Sequence, residues 1–392
     1  MLNFDYQNRT RIIFGKDKQK EIGAFIKPYA NKVLFHYGGQ SIKKSGLYQE
    51  VVDSLNRENI EFVELPGVQP NPRLSLVYEG IRLCRENGIE FILAVGGGSV
   101  LDSSKAIALG VPYDGDVWDY YLTRKEADKV LDVATILTLP ATGSESSDSS
   151  VITNEEAQLK LGYGSDKIRP LFSVMNPELF FTLPKHQMAN GACDMMSHIM
   201  ERYFTNTLHT DVTDGLCEST LKAIMKNALI LKDDMQNYDA WAEVSFAGSI
   251  AHNGLLGLGR MQDWACHKME HELSAIYDVA HGAGLAAVTP SWMRSVYQEN
   301  IGMFLQFAVN VMGVEASFRD PDAAVLEGIR RLEQFFADLG LPVTLTELGI
   351  EEKDYERMAK KATWFDRGPE RPIGGLKKLY WQDVLQIYKM AK

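Results

Sequence analysis

The chain is poor in cysteine: Cys84, Cys193, Cys217 and Cys266 are the only four in 392 residues, and none forms a Cys-x-x-Cys pair. That excludes a disulfide framework as the source of stability and suits a reducing compartment. Positive charge is not in excess either, since 41 Lys and Arg stand against 52 Asp and Glu for a formal net charge of -11. This balance argues against a nucleic-acid partner or a polybasic membrane anchor. No apolar run reaches the roughly 18 residues of a membrane-spanning helix. The segment Met1-Leu2-Asn3-Phe4-Asp5-Tyr6 has no basic stretch leading into an apolar one, as a secretory leader would. A cytoplasmic protein with no membrane partner is the expectation.

Hydrophobic residues make up 45% of the chain, enough for a sizeable core and room for two domains. In the first half, short apolar runs alternate with helical patterns, the signature of a parallel sheet with crossover helices. The strand-like runs are 11–14, 32–36, 62–65, 91–95 and 134–139, with helix-like stretches at 17–27, 42–57, 73–86 and 99–109. The stretch 149–173 is irregular, with 150–153 and 159–163 reading as a hairpin. From about Pro184 long helix-period segments dominate. The expected organisation is an α/β dinucleotide-binding domain over 1–183 and an all-α metal-binding, catalytic domain over 184–392.

Histidine is scarce as well, yet six of the eight fall between Asp194 and His281. Asp194 and His198 are four apart in a helix-periodic segment, so a carboxylate and an imidazole share one helix face. His267 lies in a second such segment, and His281 opens the sequence His281-Gly282-Ala283-Gly284. An isolated Asp-x3-His is also a common capping or surface pair; two further histidines in an apolar, glycine-rich setting favour a metal site. Three imidazoles and one carboxylate suit Zn, Fe, Co or Ni better than Mg or Ca. The His267-x3-His271 pair resembles a metalloprotease motif but carries Lys268 where that motif needs Glu, which weakens a hydrolase reading. Cys193 and Cys266 adjoin proposed ligands, but on a helix a neighbour points about 100° away, so they are expected to be packed thiols.

A second feature is the run Phe91-Ile92-Leu93-Ala94-Val95 followed by Gly96-Gly97-Gly98-Ser99-Val100-Leu101-Asp102. A buried strand, glycines that let a ligand approach the backbone, and a helix start with free N–H groups suit a phosphate. The same residues also serve as a plain strand-to-helix turn, and they match neither Gly-x-Gly-x-x-Gly nor a Walker loop. Thr138-Leu139-Pro140-Ala141-Thr142-Gly143-Ser144-Glu145-Ser146-Ser147 again follows a strand and is dense in hydroxyls suited to a ribose or phosphate.

Taken with Pro70-Asn71-Pro72, Asn190-Gly191-x-x-Asp194-x-x-x-His198, His267-x-x-x-His271, His281-Gly282 and Gly374-Gly375-Leu376, this ordered set resembles the iron-containing (group III) alcohol dehydrogenases. The similarity is to the butanol dehydrogenase and broad-specificity aldehyde reductase branch, and it extends along essentially the whole chain. The resemblance implies a dehydroquinate synthase-like fold, an α/β nucleotide-binding domain followed by a helical metal-binding one, and a homodimer. It implies Asp194, His198, His267 and His281 as ligands of Fe2+, or sometimes Zn2+. Gly96, Gly97, Gly98, Ser99 and Asp102 would hold the pyrophosphate, and Thr138, Leu139, Thr142, Ser144 and Ser147 the ribose and nicotinamide. Asn71 belongs to the cofactor-binding set, Lys160 matches a lysine that approaches the nucleotide in relatives, and His271 is implied as a catalytic neighbour that touches the nicotinamide or relays protons. The substrate class is a primary alcohol or aldehyde such as butanol or butanal.

Which dinucleotide is used rests on the end of the second strand. Tyr37-Gly38-Gly39-Gln40-Ser41-Ile42-Lys43-Lys44 contains no carboxylate to bind a ribose 2′-OH and repel a 2′-phosphate. Gly38, Gly39, Gln40 and Ser41 leave room for that phosphate, and Lys43 or Lys44 offers charge, although both lysines read equally as solvated helix residues. NADP(H) is therefore favoured, with NAD(H) possible. One alternative is a dehydroquinate synthase-like lyase on the same fold, which would need several Lys and Arg around its phosphorylated acid substrate; another is a binding protein without turnover, against which candidates for all four ligands argue.

Overall fold

The apolar runs of the first half are strands of one parallel sheet. In the computed structural model, which describes residues 1–392 apart from 317–318 and 366–367, the strands are β1 (Arg11–Phe14), β2 (Lys32–Tyr37), β3 (Glu61–Leu65), β4 (Phe91–Gly97), β5 (Asp132–Leu139) and, after the antiparallel hairpin β6 (Ser149–Asn154) and β7 (Leu159–Gly164), β8 (Phe172–Met175). Among the described residues the sheet has six strands in the order β1-β8-β5-β4-β2-β3, and every pair is parallel. The central strands of such a sheet are covered on both faces and so read as apolar runs, while the edge strands β1 and β3 are largely exposed or half-buried.

The crossover helices are α1 (Ile22–Ile26), α2 (Ser41–Lys44), α3 (Leu47–Arg57), α4 (Leu74–Asn87) and α5 (Gly98–Gly110), with the short α6 (Trp118–Thr123) after them. Leu47, Val51 and Leu55 recur at four-residue spacing along α3 and join Val33, Phe35, Leu93 and Ile136 in one core. Against the other face, His36 of β2 reaches Ser103 of α5, its Nε2 lying 2.9 Å from the hydroxyl.

Three local expectations change. The stretch 42–57 is not one helix: Ser45 ends α2, and Gly46, at φ 86°, turns the chain before α3. The stretch 17–27 begins as a 3-10 turn, Lys18–Glu21, before α1. The last part of the irregular segment supplies β8, which inserts between β1 and β5.

The second half contains α7 (Lys185–Tyr203), α8 (Asp211–Asp233), α9 (Tyr238–His252), α10 (Ala265–Tyr277), α11 (His281–Val296), α12 (Ile301–Asn310), α13 (Pro321–Asp338), α14 (Tyr355–Ala362) and α15 (Trp381–Met390). The chain groups into two compact units. One comprises Gln7–Leu183 with Met235–Asn253; the other comprises Met1–Tyr6, Pro184–Asp234 and Gly254–Lys392. Thus α9, far beyond Leu183 in sequence, packs with the sheet: Trp241 meets Phe180 at 5.5 Å between ring centroids, and Ser249 donates to Glu145. Among the described residues no helix is long and apolar enough to cross a membrane.

Candidate metal centre and nucleotide edge

Helical spacing brings the acidic and imidazole groups of the helical unit together. Asp194 and His198 lie one turn apart on α7, and His198 Nδ1 is 3.5 Å from Asp194 Oδ1. His267 comes from the first turn of α10 and His281 is the first residue of α11; the Nε2 of each is 3.7 Å from the same Asp194 oxygen. The ligand atoms of Asp194, His267 and His281 all lie within 4.8 Å of one another. His198 stacks on His267, with 4.6 Å between centroids. Two atoms bound to one ion at about 2.1 Å in a tetrahedral shell sit roughly 3.4 Å apart, so the spacing fits a shared cation.

Burial sharpens that fit. Asp194 is 2% exposed and His267 5%, yet Asp194 Oδ1 and His267 Nε2 make no hydrogen bond, a costly arrangement for two buried polar atoms unless something else occupies the space between them. Burial by itself pushes the His267 imidazole down, but the Asp194 and Glu201 carboxylates outweigh it and raise the group to about 9. Positive charge is therefore strongly favoured at this point, and a divalent cation answers the same demand.

Sequence reasoning missed what stands behind the candidate ligands. Glu201 Oε1 accepts hydrogen bonds from His267, at 2.9 Å from its backbone N and 3.0 Å from Nδ1. Glu270 is paired with His281 Nδ1 and accepts from the Ser274 hydroxyl. The spacing carried a signal: Glu201 is seven residues after Asp194 and Glu270 three after His267, so each shares a helix face with a candidate ligand. Trp264 was missed too; it sits at φ 67° just before α10, its ring 5.1 Å from that of His267. His271, on α10, has its ring 5.8 Å from that of His281. Cys193 and Cys266 are buried, and burial raises both thiols well above their ordinary range.

In the sheet unit the proposed nucleotide residues gather at the carboxyl ends of three adjacent strands. Gly38 and Gly39 follow β2, Gly96 and Gly97 end β4, Gly98 and Ser99 open α5, and Thr138 and Leu139 end β5. From β2 the chain turns outward to β3, and from β4 it turns the other way to β5, so the β2–β4 boundary is the switch point where such sheets leave a ligand crevice. Close packing explains Gly98: a Cβ there would lie 2.4 Å from the Thr142 side chain.

Asp102, expected at the pyrophosphate, has its carboxylate engaged within the protein. It accepts from Ser144 Oγ at 2.6 Å and from the Val151 backbone N at 2.9 Å. Ser147 is likewise held from below, by Lys105, which donates to the Ser147 carbonyl at 3.0 Å and the Ser149 carbonyl at 2.9 Å. Lys105 is fully buried, and burial lowers it to about 8. These contacts tie α5 to the hydroxyl-rich loop and fix the loop's shape. From α9, His252 Nδ1 lies 3.0 Å from the Thr142 carbonyl oxygen. The Pro70-Asn71-Pro72 turn reaches the hairpin, where the Thr153 N–H donates to Pro72 and Thr153 pairs with Lys160. Gln40 and Ser41 are exposed.

Residues 9–177 match the model of the iron-containing alcohol dehydrogenases, and residues 188–392 match that of the C-terminal part of the Fe-containing alcohol dehydrogenase family. The chain is 45% identical over 392 residues, the full length of both proteins, to NADH-dependent butanol dehydrogenase A of Clostridium acetobutylicum. It is 34% identical to the NADPH-dependent aldehyde reductase YqhD of Escherichia coli over 92% of this chain and 93% of that protein. The crystal structure of NADH-dependent butanol dehydrogenase A from Thermotoga maritima superposes with a TM-score of 0.96 at 40% identity, covering 100% of this chain and 99% of that one.

Proposed function

The chain belongs to the iron-containing alcohol dehydrogenase family and is an oxidoreductase; we propose that it moves a hydride reversibly between a nicotinamide dinucleotide and a primary alcohol or aldehyde of about the size of butanol or butanal. The observation that carries this reading is the buried Asp194 and His267 pair, whose facing atoms make no hydrogen bond, with His281 beside them. Asp194, His198, His267 and His281 would hold Fe2+ or Zn2+, and a cation so held supplies Lewis acidity that favours ionisation of an alcohol and polarisation of a carbonyl. Gly96 to Ser99 would receive the pyrophosphate through backbone N–H groups at the start of α5. Thr138, Leu139, Thr142, Ser144 and Ser147 would border the ribose and nicotinamide, with Asp102 and Lys105 fixing the loop. Asn71 and Lys160 would approach the nucleotide from the hairpin side. His271 would carry the proton exchanged with solvent through its imidazole. A division of labour between 1–183 and 184–392, a homodimer and a cytoplasmic location belong to the same proposal. The lyase alternative is not favoured, since the full-length relatives are named as alcohol dehydrogenases and aldehyde reductases.

Both dinucleotides occur in the names of relatives. The absence of a carboxylate at the end of β2 supports NADP(H). Against it, Lys43 Nζ lies 4.7 Å from the Tyr48 ring centroid and 5.5 Å from that of Tyr37, two tyrosines whose hydroxyls donate to Glu64, so part of its charge is already answered. A Cβ at Gly39 would have no atom within 4 Å, so Gly39→Asp introduces charge without a clash. That variant is expected to lower the NADPH-to-NADH ratio of kcat/KM by about tenfold or more, the equivalent of roughly 1.4 kcal/mol of repulsion. An unchanged ratio would refute the placement of the 2′-phosphate beside Gly39. The test of the whole reading is steady-state reduction of butanal with each dinucleotide on protein of measured metal content; no turnover with either, on metal-loaded protein, would overturn it.

A further inference from the structure

We propose that Glu201 and Glu270 are positioning residues of the metal centre, each fixing the tautomer and direction of an imidazole that a different helix presents. This rests on the metal reading above and adds a function for two buried acids. Glu201 stands on α7 and holds His267 of α10; Glu270 stands on α10 and holds His281 of α11. The carboxylates thus lace the three helices in sequence, and in both cases the bonded atom is Nδ1. With Nδ1–H donated to a carboxylate, the lone pair is left on Nε2. Those two Nε2 atoms are the ones that sit 3.7 Å from Asp194 Oδ1.

Both acids are buried; Glu201 commits its Oε1 to His267 while its Oε2 makes no hydrogen bond, and Glu270 uses one oxygen for His281 and the other for Ser274. Glu201 is 2% exposed and Glu270 0%, and a buried carboxylate persists only where partners answer it. The backbone makes room for the second: a Cβ at Gly284 would come within 2.8 Å of Glu270 Cγ. Glu201 is in neither group of side chains spaced to hold an ion; Glu270 is not in the set with Asp194, His267 and His281 but does fall in a second one with His271 and His281. Their effect is exerted through the rings, by raising the basicity of the ligand nitrogen and by stopping ring rotation.

The experiment compares cobalt(II) binding to wild type, Glu201→Gln and Glu270→Gln, all first stripped of metal, by chelator competition and by the visible absorption of bound cobalt. Gln keeps the shape but loses the charge that selects the tautomer. The expected result is a dissociation constant raised about 10–100-fold in each variant, with shifted cobalt bands and an unchanged melting temperature of the metal-free protein. Glu218→Gln is the control: Glu218 is a buried acid bonded to Tyr203, Gln306 and Asn310, and its variant should bind cobalt as wild type does. Should Glu270→Gln fail to fold, Ser274→Ala removes the hydroxyl that donates to Glu270, which also lies 3.2 Å from the Val279 carbonyl, and a severalfold weaker site is expected. Cobalt affinity and spectrum within twofold of wild type in the Glu201 and Glu270 or Ser274 variants would overturn the proposal while leaving the metal site standing. Wild type that takes up no cobalt would overturn the metal reading itself, and the proposal with it.

Discussion

Stripped of its divalent cation, the protein is expected to lose alcohol oxidation by about a thousandfold or more, and to regain it when Fe2+ or Zn2+ is returned. The size follows from the several kcal/mol a Lewis acid contributes to charge development at the substrate oxygen, at about 1.4 kcal/mol per factor of ten. Asp194→Ala is expected to reproduce the loss irreversibly. Its Oδ1 is the atom that the nitrogens of His198, His267 and His281 all approach within 3.7 Å, so its loss removes the negative charge that the three imidazoles share. The variant should remain folded, because it deletes a buried charge and places a good helix former inside α7. Metal analysis and circular dichroism on the same sample decide the matter. Normal metal content in Asp194→Ala, or full activity in verified metal-free wild type, would remove the site from the mechanism.

Gly282→Ala is expected to harm the same site from a position that binds nothing. An added Cβ would lie 2.1 Å from the Asn190 carbonyl oxygen and 2.7 Å from the Asn190 Cα. Those are backbone atoms of α7, which have no rotamer to give, so α11 must move outward by about 1 Å to restore a normal contact. Overpacking of this kind costs about 1–3 kcal/mol, which should appear as a lower melting temperature. More telling is the neighbour: His281 is the first residue of α11, and its displacement from Asp194 should weaken metal binding by at least about tenfold. Unchanged thermal stability together with unchanged metal affinity would mean that the helices approach less closely than this.

The central strands were readable because they are buried on both faces and so form apolar runs, as in Phe91 to Val95. Strand β8 is just as buried but escaped notice because its apolar run is short and broken. It is four residues long and carries Ser173, whose hydroxyl is buried and satisfied by Thr135 and Glu145, a solution that exists only in the folded protein. Asp194 with His198 was legible through the helical repeat, whereas Glu201 and Glu270 were not singled out, because their partners lie 66 and 11 residues away on other helices. For Asp102 the motif suggested a place at the nucleotide but not the two hydrogen bonds that turn its carboxylate inward. The membership of α9 was not legible at all: its helical pattern says that one face is buried, not against what.

That helix has a consequence for how the chain can be made or cut. The sheet unit takes its last element from Met235–Asn253, so a ribosome must deliver some fifty residues of the other unit before the sheet unit can be finished. A fragment ending at Leu183 would carry every strand and still lack Trp241 against Phe180, Ser249 at Glu145 and His252 at the Thr142 carbonyl. The two units are therefore not exchangeable cassettes: a chimera joined at Leu183 inherits its α9 from the wrong parent, while a swap that carries 235–253 along with 7–183 keeps the hydroxyl-rich loop with the helix that braces it.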